Sequence, residues 1–317
     1  MNVVFIGASI FGLKCFESLL DLSSVTVKGV ISNEQAFDIS YSQDKVSNVL
    51  YADIPEIAKK NNVPFYVMQK SMKEPGIFHS LESWKADLIV VVGWYHMIPK
   101  TITDKTLTIG MHASLLPDYS GGAPLVWAII HGEKKTGITL FKLGDGVDNG
   151  PILGQSSTVI SDSDTICSLY ERVELLGINL LRNLVPKIED GSAIFHPQDD
   201  SKRRMFSQRS PKDGEINWNW PARKVYDFIR AQTHPYPGAF STYKKQLIHI
   251  WGSTVMGNEV LAELPSGTIV GDKGNKVLVS CGENTCLQIR GISLNGIDLN
   301  VCEMKEFFDR EPGGNFV

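Results

Sequence analysis

Residues 87–92 (DLIVVV) place five apolar side chains in a row after one aspartate, four of them β-branched. Such a run is too short for a buried helix and suits a strand covered on both faces. A strand of that kind belongs in a parallel sheet clothed by helices. The N-terminus supplies a matching unit. Residues 3–6 read as a short buried strand, 11–21 as an amphipathic helix with Phe11, Cys15, Leu19 and Leu22 on one side, and 25–31 as a second strand. This is a βαβ opening. Helices over 52–61 and 78–85 and strands over 64–68 and 108–111 continue the alternation. The expected class is α/β with a mostly parallel sheet.

The segment from Gly7 to Gly12 lacks GxGxxG spacing, so it reads as a tight strand-to-helix turn and not as a dinucleotide fingerprint. Residues 32–50 are polar and weakly patterned, the texture of a long loop at the carboxyl edge of the sheet, where such folds bind ligands. That loop holds Glu34, Asp38 and Asp44 against a single base, Lys45. After the central strand come Trp94, Tyr95, His96, Met97 and Ile98, which suit either a ligand platform or a cap on the core.

Residues 164–188 read as a long helix with Asp164 as N-cap and Gly191 as its stop. Residues 195–204 turn polar and end in Lys202, Arg203 and Arg204, the texture of a solvated linker. Beyond about residue 206 the pattern changes. A helix over 222–232 is followed by short alternating runs at 240–243, 247–251, 267–270, 277–280 and 286–292, which predict a small β-barrel or half-barrel. The expected domains are therefore 1–205 and 206–317. The net charge of −4 gives no general pull on nucleic acid. Five scattered cysteines with no CxxC pair argue against a disulfide frame or a zinc site and fit a reducing cytoplasm. No apolar run reaches the roughly 18 residues of a membrane span.

The richest stretch is residues 110–155. Gly110 and Met111 deliver His112 to the end of a strand; Leu115, Leu116 and Pro117 then make a turn. A glycine loop runs through Ser120, Gly121 and Gly122, and Pro124 starts a helix. Residues 136–143 form a strand-like run leading into Gly144, Asp145, Gly146, Val147 and Asp148. His112 and Asp148 lie 36 positions apart, and the expectation is that they meet as a proton-handling pair. A carboxylate beside an imidazole orients it and suits acyl transfer to an amine. Out of context, a lone histidine and a lone aspartate are more often structural. His79, His131 and His249 sit in ordinary helix or strand settings, His196 in the linker and His234 in a proline-ordered turn, whereas His96 is placed to line the same cleft.

The strings HASLLP, GGAPLVWAI, TGITLFKL and DNGPILGQ, then SPKDGEINWNWPA and IRAQTHPYPGAF, resemble the folate-dependent formyltransferases over nearly the whole chain. The resemblance implies a Rossmann-like catalytic domain, an OB-like C-terminal domain, 10-formyltetrahydrofolate as donor and no metal. It implies His112 as the catalytic histidine and Asp148 as its partner. Trp94, His96, Met97 and Ile98, the turn of Ser114, Leu115, Leu116 and Pro117, and the Gly144, Asp145, Gly146 and Val147 loop would hold the folate, largely through backbone groups.

Two positions depart from the family pattern. Gly110 stands where the family usually has an asparagine, an oxyanion donor, with Ser9, Ser114 or backbone N–H groups as replacements. Ser120 stands where an arginine is frequent. The acidic 32–50 loop, and a balance of 12 basic against 12 acidic residues over 207–317, favour a nucleotide-linked amino sugar as acceptor. Trp94, Tyr95 and the 33–41 stretch would hold its nucleotide. Methionyl-tRNA is the alternative, and a non-catalytic folate- or sugar-nucleotide-binding homologue is the reading that Gly110 permits. A homodimer contact on the second domain is a further expectation.

Overall fold

The 87–92 run forms the middle strand of a seven-stranded sheet. The structure is a computed structural model that describes residues 1–39, 45–256, 264–271, 276–310 and 314–317. Its strands are β1 (Asn2–Ile6), β2 (Thr26–Asn33), β3 (Phe65–Met68), β4 (Leu88–Val91), β5 (Leu107–His112), β6 (Lys135–Lys142) and β7 (Ile152–Val159), in the order β7-β6-β5-β4-β1-β2-β3. The five from β5 to β3 are parallel, and β6 joins β5 antiparallel, with His112 opposite Thr139. Helices α1 (Ile10–Leu20), α2 (Ile54–Lys60), α3 (Pro75–Trp84) and α4 (Lys100–Thr103) make the crossovers. Val90, Ile89 and Leu88 are at most 1% exposed, as a central strand requires.

The chain divides into two compact units. The first comprises residues 1–121, 135–158 and 171–206; the second comprises 122–134, 159–170 and 207–317. The two inserted segments explain α5 (Pro124–Ile130), which belongs with the second unit, and the division of the long helix α6 (Ile166–Glu189) between the units. The glycine turn after β1 is enforced by space: a Cβ on Gly7 would lie 2.4 Å from the Val92 carbonyl oxygen. Ser9 caps α1, its hydroxyl oxygen accepting from Gly12 N at 3.0 Å.

Several local expectations change. Thr165, and not Asp164, precedes the first turn of α6; its Oγ1 accepts from Ser168 N at 3.4 Å, while Asp164 Oδ2 accepts from Ser161 N at 2.7 Å. Residues 32–50 include a small antiparallel pair, Ala36–Phe37 with Val46–Ser47, so they are not all loop. Tyr41 and Asp44 of that stretch lie outside the described residues. Strand β7, an edge strand exposed on one face, was hidden by its polar sequence, GQSST.

The second unit is strand-rich, in keeping with the predicted succession of short strands. Its strands β8 (Ala239–Tyr243), β9 (Gln246–Val255), β10 (Ile269–Gly271), β11 (Val277–Cys281), β12 (Thr285–Leu294) and β13 (Ile297–Leu299) pair in the order β8-β9-β12-β11-β10, with β13 also on β12. Helices α7 (Ala222–Arg230) and α8 (Val301–Arg310) accompany them. Both α8 and β13 escaped the sequence reading. Residues 315–317 reach β8 on one side and the segment just before β10 on the other. Val317 N donates to Thr242 O at 2.9 Å on one side, and Phe316 N donates to Gly267 O at 2.9 Å on the other. Phe316 then buries its ring between Trp218 (5.1 Å), Tyr243 (5.7 Å) and Phe308 (5.8 Å).

A buried ion pair fixes the 159–170 insert to α7. Arg230 Nε donates to Asp227 Oδ1 at 2.7 Å and Arg230 Nη1 donates to the Asp164 carbonyl at 2.7 Å. Asp227→Ala leaves a buried guanidinium without its counter-charge, and is expected to cost about 3–5 kcal/mol of unfolding free energy, read by denaturant titration. A loss below about 1 kcal/mol would show that the pair is not a fixed point of the unit. Among the described residues no helix is long and apolar enough to cross a membrane.

Candidate active site

His112 is the last residue of β5, and Gly110, two positions earlier, lies opposite Val91 at the end of β4. The loop that follows β4 therefore leaves the sheet beside His112. That loop carries Trp94 and Ile98, which pack with Leu143 on one core cluster around Ile89, Val91 and Ile102. Lys100 at the start of α4 pairs with Asp145 at 3.2 Å and so ties this loop to the one after β6. Each of the three sequence-distant segments thus reaches the same edge of the first unit.

His112 and Asp148 do meet. His112 Nδ1 lies 3.4 Å from Asp148 Oδ2, with the two side chains 10% and 20% exposed. The other ring nitrogen, Nε2, is 2.7 Å from the Tyr119 carbonyl oxygen. Both ring nitrogens thus face oxygen acceptors, and one proton on Nε2 satisfies only the second. Asp148 is oriented in turn: its Oδ2 accepts from Gly121 N at 2.8 Å, and its backbone takes the left-handed conformation, φ +51°. An imidazole held between a carboxylate and a carbonyl, at a strand end with partial access to solvent, can accept and return a proton.

Tyr119 is a residue that sequence reasoning missed in its own right. Its φ of +53° turns its carbonyl toward His112. Its ring stacks on Phe206 at 4.7 Å, and the Arg204 guanidinium lies 4.7 Å from the ring centroid. Arg204 also forms a two-pronged pair with Asp118, at 2.7 and 2.6 Å. Met205 and Phe206 pair in parallel with Ser120 and Gly121. Ser120 is fully buried, its hydroxyl donating to the Arg204 carbonyl at 3.3 Å, so the arginine frequent in the family has no counterpart at that position. A guanidinium returns to this corner from Arg204, already neutralised by Asp118.

The missing asparagine has a physical counterpart as well. A Cβ on Gly110 would lie 2.8 Å from Leu143 Cδ2 and 3.6 Å from the Val91 carbonyl oxygen. Leu143 therefore fills the room a side chain at 110 would take. Of the two hydroxyls offered as substitutes, Ser114 already spends its proton and Ser9 is engaged as an acceptor only. Ser114 Oγ donates to the Asp118 carbonyl at 2.6 Å, and Ser9 Oγ is the α1 cap.

Leu116 is buried; its N–H donates to Thr139 Oγ1 at 3.1 Å and its carbonyl accepts from Gln155 Nε2 at 2.8 Å. This fixes the turn of Ser114, Leu115, Leu116 and Pro117 against β6. Gly146 N donates to Asn149 Oδ1 at 3.2 Å, closing the Gly144–Asn149 loop on itself, with Val147 exposed. Met97 is exposed as well, whereas Trp94 and His96 stand with ring centroids 5.4 Å apart. Trp94 Nε1 and His96 Nε2 are buried and have no hydrogen-bond partner among the described residues. Burial pushes the His96 imidazole below its ordinary pKa, which keeps that ring neutral near pH 7. Among the described residues no cluster of three or more His, Cys, Asp or Glu side chains is arranged to hold a metal ion.

The basic triplet at 202–204 is solvated only in part: the Lys202 and Arg204 side chains are 75% and 51% exposed, but Arg203 turns inward. The Arg203 side chain is only 15% exposed, and its Nη1 lies 3.4 Å from the Val147 carbonyl oxygen. No short-range pattern in the sequence could have shown that this segment runs beside the Asp148 loop.

Residues 1–185 match the formyl transferase family and residues 209–311 match the formyl transferase C-terminal domain. The chain is 33% identical to a methionyl-tRNA formyltransferase of Alkaliphilus oremlandii over 298 residues, covering 93% of each protein. It is 31% identical to a methionyl-tRNA formyltransferase of Clostridium novyi over 285 residues, covering 89% of each. Among solved structures, an N-formyltransferase of Helicobacter canadensis in complex with folinic acid and dTDP-3-aminofucose aligns with a TM-score of 0.63 at 18% identity, over 90% of this chain and 98% of that one. A methionyl-tRNA formyltransferase from Clostridium thermocellum aligns with a TM-score of 0.53 at 20% identity, over 89% of this chain and 100% of that one.

Proposed function

Because this chain belongs to the formyl transferase family, we propose that it moves a formyl group from 10-formyltetrahydrofolate to a primary amine, with His112 and Asp148 handling the proton. The observation that carries the reading is the pair itself, an imidazole 3.4 Å from a carboxylate supplied by a separate loop. In the reaction the amine nitrogen attacks the formyl carbon, giving a tetrahedral centre with an oxyanion. The amine proton passes to His112 and returns to the folate N10 as the C–N10 bond breaks. Asp148 holds the ring throughout and balances its charge when it is doubly protonated. The Nε2 contact with the Tyr119 carbonyl is the one that a reacting group replaces. We assign Trp94 and His96 to the pterin ring because their loop leaves the sheet beside His112.

For the acceptor, the full-length likeness to methionyl-tRNA formyltransferases supports the amine of an aminoacyl-tRNA. This reverses the order suggested by charge. A specific observation keeps the nucleotide-linked amino sugar as a second reading: residues 207–317 carry no net charge, with 12 basic and 12 acidic side chains. Phosphate contacts need clustered cations.

One assay separates the readings. Tetrahydrofolate release from 10-formyltetrahydrofolate is followed with methionyl-tRNA and, separately, with a panel of amino-sugar nucleotides. Turnover with methionyl-tRNA, weakening steeply as salt rises, is the expected outcome. Turnover with a sugar nucleotide alone would replace the acceptor, and folate binding with no turnover on either would mark a non-catalytic homologue.

A further inference from the structure

The segment after α6 grips the loop that carries Asp148. Gln198 Nε2 donates to the carbonyls of Asp148 at 2.8 Å and Gly150 at 2.7 Å. Arg203 Nη1 adds longer contacts to the carbonyls of Val147 at 3.4 Å and Asp148 at 3.5 Å. The two side chains also bind each other, with Arg203 Nη2 donating to Gln198 Oε1 at 3.3 Å. Asp200 Oδ1 accepts from both Arg203 Nε, at 3.0 Å, and Nη2, at 2.8 Å. The base of the segment is fastened by a backbone bridge between His196 and Ile152, at 2.7 and 2.8 Å.

These contacts fall on three carbonyls of one short loop, 147, 148 and 150. They coincide with the residue whose φ is +51°, a conformation that L side chains adopt at a cost. Gly121 N–H holds the Asp148 carboxylate from one side; Gln198 and Arg203 hold its main chain from the other. We propose that Gln198 and Arg203 are positioning residues that keep Asp148 in its left-handed conformation and so set its carboxylate against His112. Their polar groups are directed to the carbonyls of this loop and to each other. The proposal rests on the assignment of His112 and Asp148 as the proton-handling pair.

The experiment uses the full chain with Gln198→Leu, Arg203→Leu and Arg203→Lys, each alone and combined with Asp148→Asn. Turnover is measured together with the pH titration of His112 by histidine-selective NMR, which requires no formyl transfer. In the Leu variants kcat is expected to fall on the order of 10²-fold, as for a catalytic group displaced by about 1 Å. KM for donor and acceptor stays within about 2-fold, and the His112 midpoint moves in the same direction as in Asp148→Asn. Arg203→Lys retains a cation facing the carbonyls and recovers part of the loss. In Asp148→Asn the added Leu substitutions cost little more, since the group they position is already lost.

Folded Leu variants with unchanged kcat and an unchanged His112 titration would overturn the proposal. So would losses that multiply fully with that of Asp148→Asn. If a Leu variant does not fold, Arg203→Lys supplies the same two readouts. If no acceptor supports turnover, the His112 titration decides alone: a midpoint that moves as in Asp148→Asn keeps the positioning of Asp148 against His112, and one that does not move overturns it.

Discussion

His112→Ala will all but stop formyl transfer while leaving folate binding nearly intact. A positioned acid–base group contributes typically about 10²–10⁴-fold, and kcat is expected to fall by that range. The reason for separating turnover from binding lies in the geometry. The imidazole is engaged by Asp148 on one nitrogen and by Tyr119 on the other, so it belongs to neither the Trp94–Ile98 loop nor the Leu116 turn. Removing it leaves the hydrogen bonds of Leu116 with Thr139 and Gln155, and the His96–Trp94 contact, as they are. Single-turnover rates and a folate titration on the same preparation check both halves. Turnover within a few-fold of the parent would remove His112 from the mechanism; loss of folate affinity together with kcat would make it a structural residue.

Gly110→Asn is the second large change expected, and its direction is upward. The resemblance places an amide at this position to meet the oxyanion, and removing one such donor costs about 2.7–4 kcal/mol, or about 10²–10³ in kcat. The obstacle to restoring it is the end of one flexible side chain, Leu143 Cδ2, at 2.8 Å from where the Cβ would stand. A rotation of Leu143 makes room without disturbing the sheet. If no other group serves the oxyanion, Gly110→Asn gains a large part of that factor, and Gly110→Ala, with the same crowding and no amide, gains nothing. Equal or lower kcat in the Asn variant, with folate binding retained, would mean that a backbone N–H already fills this role.

Much of this fold could be read from periodicity, because the first unit obeys simple rules. Residues 87–92 are apolar because both faces are covered, and the strand they form is central. The strands that went unread are those whose surroundings differ. β7 has only one buried face and a polar sequence, so it carries no apolar run. β13 and α8 lie in short segments whose apolar positions acquire meaning only against the rest of the second unit. In the site, His112 and Asp148 stood out because each ends a strand or loop of recognisable shape. Tyr119, Gln198 and Arg203 did not, since they act through main-chain carbonyls of residues far away in sequence. Gly110 was visible as a departure, but only the side chain of Leu143 showed what occupies its place.

The tie that residues 315–317 make across the second unit has a consequence for its solubility. With this short strap in place, the rim of β8 is engaged by the chain itself at Thr242, and the approach to β10 at Gly267. Released, both would present unpaired amides and carbonyls to any neighbouring molecule, and bare strand edges seek partners. Three residues thus act as a guard against intermolecular stacking, and Phe316 is the peg that keeps the guard in position.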